Sequence, residues 1–228
     1  MKMLKAEWAK LAPMTFTERR QYIWEYYKLH IFAVLIAVFM IGSLINTLIL
    51  NPPRQDYLYF AWIGPPVTPF VLDEFAEELN IIVENPNRYV VRATNYSLQG
   101  LAPQMAMALR TRLVAQMQMQ HLDLFMLTRE ELYDLSSSGF ILPIMLFMDA
   151  LEDLNPTIHE LMAQRLVEVT FIQEGIGQTV TDFMAASLSG ISFFESFDIE
   201  TDNLYLAVVV NSERFDRAAR ALEVIFDV

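Results

Sequence analysis

Few residues in this chain belong to the types that do covalent or metal chemistry. There are three histidines, seven glycines and no cysteine. Without cysteine there is no disulfide, thiolate metal site, thiol nucleophile or cysteine-linked lipid anchor. His159-Glu160 opens like a helical zinc motif with ligands four residues apart, but Ala163 stands where the second histidine is needed. Asp198-Ile-Glu200-Thr-Asp202-Asn203 spaces oxygens at alternate positions, as calcium loops do. It lacks the turn glycine at the sixth position and the glutamate at the twelfth, so it reads as a solvated turn. Asp153-Leu-Asn155 is a shorter run of the same kind. No Gly-x-Ser-x-Gly, phosphate-cradling Gly-Lys loop or dinucleotide fingerprint is present. The expectation is no metal, no cofactor and no catalytic residue. Met105, Met107, Met117 and Met119 share one helical stretch without forming a single face, and gap filling accounts for them.

Any ligand chemistry must therefore come from polar groups that the fold brings together. Asp56–Ile63, Arg88–Tyr96, Leu122–Leu127, Leu166–Gln173, Thr179–Ala185 and Asn203–Val210 read as strands, being rich in aromatic and β-branched residues. Val67–Leu79 and Ala102–Gln120 read as helices. Thr128 with Glu131 reads as a capping box opening a helix to about Leu135. Asn155-Pro156-Thr157 starts another helix, Ser212 caps a last one, and Phe140–Met148 fits either type. Strand–helix alternation with continuous apolar strands predicts an α/β domain with a single open, mostly parallel sheet covered on both faces. In such sheets ligands bind beyond the carboxyl ends of the strands. That rule selects Trp62, Asn95, Tyr96, Ser97 and Thr128 as candidate ligand-binding residues. The competing role for each is loop capping or turn formation.

Residues 31–50 (IFAVLIAVFMIGSLINTLIL) carry no charge, and as a helix they span roughly 30 Å, the thickness of a bilayer's hydrocarbon core. The run is too long, and ends too bulkily, for a cleaved signal peptide. Tyr22, Trp24, Tyr26, Tyr27 and Lys28 precede it, as interfacial anchors do. The first 50 residues hold six basic and three acidic groups. The other 178 hold ten arginines and no lysine against 25 carboxylates, a net of −15. The positive-inside rule then predicts a single-pass protein of the cell membrane, with its N-terminus in the cytoplasm. The expected parts are a basic, aromatic juxtamembrane segment 1–30, a transmembrane helix 31–50, a short linker 51–56 and an extracytoplasmic domain 57–228. So acidic a domain repels nucleic acid. Asn46, the least easily satisfied side chain in the span, suggests a partner helix, and hence a membrane-protein partner besides the lipid bilayer.

Two stretches resemble a known family. Leu122–Ile144, with Asp123 and Gly139-Phe-Ile-Leu-Pro143, is similar to a segment of bacterial extracellular solute-binding proteins. So is the ending from Asn203, with Asn211, Ser212, Ala218 and Ala219 as its matching residues. The resemblance implies a periplasmic-binding-protein fold, a two-lobed clamshell that grips a small solute for an importer. The chain has room for one lobe, tethered by a helix instead of a lipid. The tyrosine-rich lead-in also resembles that of single-pass proteins of Gram-positive bacteria. The functional expectation is a membrane-tethered interaction or sensing module without catalysis, possible as an accessory subunit of a membrane complex. The alternative is a component that presents a small-molecule ligand to a transporter.

Overall fold

The computed structural model describes residues 13–227. Lys2, Lys5, Glu7 and Lys10 lie outside the described residues, as does the side chain of Asp153. The chain divides into two compact units, Met1–Pro53 and Arg54–Val228.

Among the described residues the first unit contains the helix α1 (Phe16–Ile45), which widens into a π-turn at Asn46–Leu50. It begins 15 residues before the uncharged run. The Glu18 carboxylate accepts the Thr15 backbone N–H and the Thr15 hydroxyl, each at 2.8 Å, which starts the helix early. The 35-residue run Phe16–Leu50 is long and apolar enough to cross a membrane, and none of it is buried. The amide of Asn51 donates to Asn46 Oδ1 at 3.0 Å, so Asn46 finds a partner in its own chain.

The second unit is α/β. Its elements are β1 (Gln55–Ile63), α2 (Pro69–Leu79), β2 (Tyr89–Asn95), α3 (Pro103–Gln118), β3 (Leu124–Leu127), α4 (Arg129–Ser137), β4 (Ile141–Leu142), α5 (Ile144–Leu154), α6 (Pro156–Ala163), β5 (Leu166–Ile172), β6 (Thr179–Ser187), a 3-10 turn (Ser192–Phe197), β7 (Tyr205–Val209) and α7 (Phe215–Phe226). The ambiguous stretch from Phe140 thus resolves into a short strand and a helix.

One open sheet runs in the order β2-β1-β3-β7-β6-β5, with β4 beside the end of β7. The pairs β1–β2 and β1–β3 are parallel, whereas β3–β7, β4–β7, β6–β7 and β5–β6 are antiparallel. The sheet is therefore mixed, not mostly parallel. Only α2 and α3 provide the long crossovers that parallel neighbours require. β5 and β6 join through a tight hairpin, in which Gly175 and Gly177 take positive φ. Residues 188–204, which include the 3-10 turn, return the chain from β6 to its antiparallel neighbour β7.

Successive side chains of β1 point to opposite faces. Leu58, Phe60 and Trp62 join Leu124, Met126, Leu206 and Val208 beneath α2, α5, α6 and α7. Tyr59, Ala61 and Ile63 join Phe125, Leu127, Ala207 and Val209 beneath α3 and α4. Both faces are covered, which is why the central strands read as unbroken apolar runs. On the first face Phe75 is fully buried, edge-on to Phe60 at 5.3 Å and stacked on Phe194 at 6.1 Å.

The stretch Leu122–Ile144 and the ending from Asn203 meet here. β3 pairs with β7, and the Ser212 hydroxyl donates to Asp123 Oδ1 at 3.0 Å. Asp123 is fully buried. Its Oδ2 accepts the Tyr59 N–H at 2.8 Å, and Arg214 Nε lies 3.0 Å from Oδ1. Burial pushes this carboxyl above its usual range, against the opposing pull of Arg214 and the two hydrogen bonds. Ser212 ties β3 to the start of α7, which begins at Phe215 after Arg214 rather than directly after Ser212.

Candidate functional site

Because β1 connects to β2 on one side and β3 lies on the other, their carboxyl ends diverge into loops that leave a crevice. On the α3–α4 face it forms a cleft of about 220 Å³. Ile63 ends β1, Tyr96 follows β2, and Leu109, Leu113 and Met117 of α3 complete an apolar floor with Leu135 and Phe140. These side chains face inward because α3 turns its Leu109/Leu113/Met117 stripe to the sheet, at helical spacing.

Charged groups stand around this floor. Arg110 comes from α3, Glu131 and Asp134 from α4, and Glu174 from the β5–β6 hairpin. The hairpin is held in place by two bonds to the end of α4. The Glu174 N–H donates to the Ser137 carbonyl at 2.9 Å, and the Ser138 hydroxyl donates to Glu174 Oε2 at 3.3 Å. Arg110 approaches Asp134 at 3.8 Å, with both side chains more than half exposed. Glu131 is half-buried and makes no hydrogen bond or ion pair among the described residues. Burial pushes its carboxyl above the usual range. The Arg110 guanidinium opposes that shift, and the Asp134 and Glu130 carboxylates add to it.

The sequence-selected residues separate into distinct roles. Tyr96 lines the cleft, is fully buried, and its hydroxyl has no hydrogen-bond partner. Burial raises its phenol, the neighbouring Tyr59 adds to this, and Arg112, whose guanidinium stands 5.7 Å over the ring, opposes it. Trp62 is turned to the opposite face, where Nε1 donates to the Pro65 carbonyl at 2.7 Å. There a Cβ on Gly64 would meet the Leu204 methyl at 3.0 Å and the indole at 3.1 Å, so a larger residue would have to push one of them aside. Asn95 is a loop clamp: its amide donates to the Val67 carbonyl at 3.1 Å and its Oδ1 accepts the Ser97 N–H at 2.7 Å. The Ser97 hydroxyl is buried without a partner and does not line the cleft. Thr128 caps α4 by its backbone, while its buried side chain makes no capping bond. The expected capping box at Thr128 is therefore not closed, which leaves Glu131 to face the cleft.

Sequence reasoning did not single out Arg110, Asp134 or Glu174, and assigned Glu131 to the cap. A charged residue beside a buried helical stripe was the only available signal. The calcium-like run is used internally. The Asp202 carboxylate accepts the Ser189 hydroxyl at 3.3 Å, and Thr201 Oγ1 accepts the Gly190 N–H at 3.2 Å. No group of three or more His, Asp or Glu side chains is placed to hold a metal among the described residues. The cleft offers a concave apolar surface with fixed charges at its edge. Its lining combines carboxylates, an arginine and serines with the apolar side chains. No protein-family model, curated protein or solved structure matches this chain.

Proposed function

We propose that the chain is a membrane-tethered extracytoplasmic interaction or sensing module of a bacterial cell membrane. It acts as an accessory subunit of a membrane complex and performs no catalysis itself. One observation carries this reading: an apolar helix with no buried residue precedes a separately cored α/β unit in the chain, with a net charge of +3 over the first 50 residues and −15 over the rest. Six basic residues precede the span and only Arg54 follows it within the next 20 residues, a bias that favours an N-terminus inside and the α/β unit outside. Since the chain has no cysteine, single cysteines test it cleanly. In intact spheroplasts a membrane-impermeant maleimide labels Ile81→Cys, at an 80% exposed position, and leaves Thr17→Cys unlabelled. The reverse pattern overturns the orientation. Recovery of the cross-linked, full-length protein alone from its native membrane overturns the accessory-subunit role.

A second reading, a solute-binding component that presents a ligand to a transporter, is favoured by the cleft beyond β1 and β2. It also draws on the resemblance to one lobe of extracellular solute-binding proteins. A rise in melting temperature with a small molecule supports it over the first.

A further inference from the structure

We propose that the cleft between α3 and α4 binds a small organic cation, an ammonium group carried on an apolar or aromatic body. The proposal rests on the second reading, that this cleft receives a solute. Three carboxylates, Glu131, Asp134 and Glu174, face one guanidinium, Arg110, across an apolar floor. The guanidinium is committed to Asp134, although loosely, at 3.8 Å. The Ser138 hydroxyl donates to the Glu174 carboxylate at the edge of the cleft, and the Ser137 carbonyl accepts the Glu174 backbone N–H. Glu131 is the one carboxylate here that is half-buried and without a hydrogen bond or ion pair among the described residues.

A half-buried carboxylate without a hydrogen bond is costly; the Arg110 guanidinium offsets part of that cost, and burial still shifts the group toward its protonated form. An incoming ammonium supplies the missing partner and three donors. The buried Tyr96 closes one wall of the cleft. The apolar floor selects for a hydrophobic body on the cation, which separates it from the sodium and potassium that an acidic surface attracts indiscriminately. An anion of the same shape would meet three carboxylates against one paired arginine. At about 220 Å³ the space suits a monoamine-sized molecule and excludes a folded peptide.

The test uses the full chain in nanodiscs, titrated with three probes of one shape: 2-phenylethylammonium, neutral 2-phenylethanol and anionic 3-phenylpropionate. Binding is read by calorimetry against empty nanodiscs. The ammonium probe is expected to bind saturably and at least tenfold more tightly than the other two. Glu131→Gln, isosteric and partly exposed, should weaken it by about tenfold or more, the loss of a charged hydrogen bond. Asp73→Asn, exposed on α2 at the opposite face of the sheet and outside the cleft, should leave it unchanged. Equal weakening in both variants reduces the effect to general surface charge and overturns the proposal. Saturable binding of phenylpropionate but not of the ammonium also overturns the cationic class, while the solute-binding reading stands. No binding of any of the three probes, with the protein folded, overturns both together.

Discussion

Replacing Asp123 by alanine is the most severe single test of how the α/β unit is held together. The side chain is fully buried and serves three groups: the Tyr59 N–H, the Ser212 hydroxyl and the Arg214 guanidinium. Removing it strands the buried Tyr59 N–H in the middle of β1, at about 1–3 kcal/mol. Breaking a buried ion pair by deleting one partner costs about 3–5 kcal/mol when the remaining charge is orphaned. Arg214 is not fully orphaned, because it keeps the carbonyls of Asp56, at 3.2 Å, and Gln120, at 2.8 Å. The expected total for Asp123→Ala is therefore about 3–4 kcal/mol, toward the lower end of that range. Asp123→Asn should cost less, about 1–2 kcal/mol, since an amide oxygen can still accept the Tyr59 N–H and burial already disfavours the charge. Urea unfolding of the full chain in nanodiscs, followed by the emission of the buried Trp62, reads both values. If Asp123→Ala lies within 1 kcal/mol of the native chain, the network is not what joins β1, β3 and α7, and the reasoning fails. If Asn costs as much as Ala, the negative charge itself is stabilising and the desolvation argument is wrong.

Phe75→Ala should cost about 3–5 kcal/mol, because the ring is fully buried between Phe60 and Phe194 and its loss leaves a cavity. An unchanged urea midpoint would place that aromatic cluster outside the cooperative core. Glu131 predicts a pH dependence. Its folded-state carboxyl is raised, so the folded chain binds more protons than the unfolded one between the two titration points. Stability should therefore fall as pH rises from the usual glutamate range to the folded value, and Glu131→Gln should remove that fall from a melting-temperature profile.

Much of the fold was legible in the residues. β1, β2, α2 and α3 lie within two or three residues of their sequence-expected limits, since apolar periodicity and Gly/Pro punctuation are local signals. The direction of strand pairing was less legible. Parallel or antiparallel neighbours depend on where β7 returns to meet β3, a contact across some eighty positions that no short window contains. The capping boxes show the same limit. Thr128 and Glu131 have the right spacing, yet tertiary packing buries the threonine and turns the glutamate to a cleft, while the box at Thr15 and Glu18 does close.

The cleft divides along the same line. Tyr96 was reachable from the rule that loops after parallel strands form sites, and it lines the cavity. Trp62 satisfied the same rule but sits one position out of phase, so the pleat turns it to the other face. Arg110, Glu131, Asp134 and Glu174 come from two helices and a hairpin far apart in the chain. The sequence by itself determined the long uncharged helix, the charge step beside it and the apolar strands, because each arises from residue type and short-range spacing. Tertiary structure alone decided which carboxylates share a cavity, which of them stays without a partner, and that Asp123 and Ser212, 89 positions apart, form one hydrogen bond. Those outcomes depend on distances between elements that only packing sets.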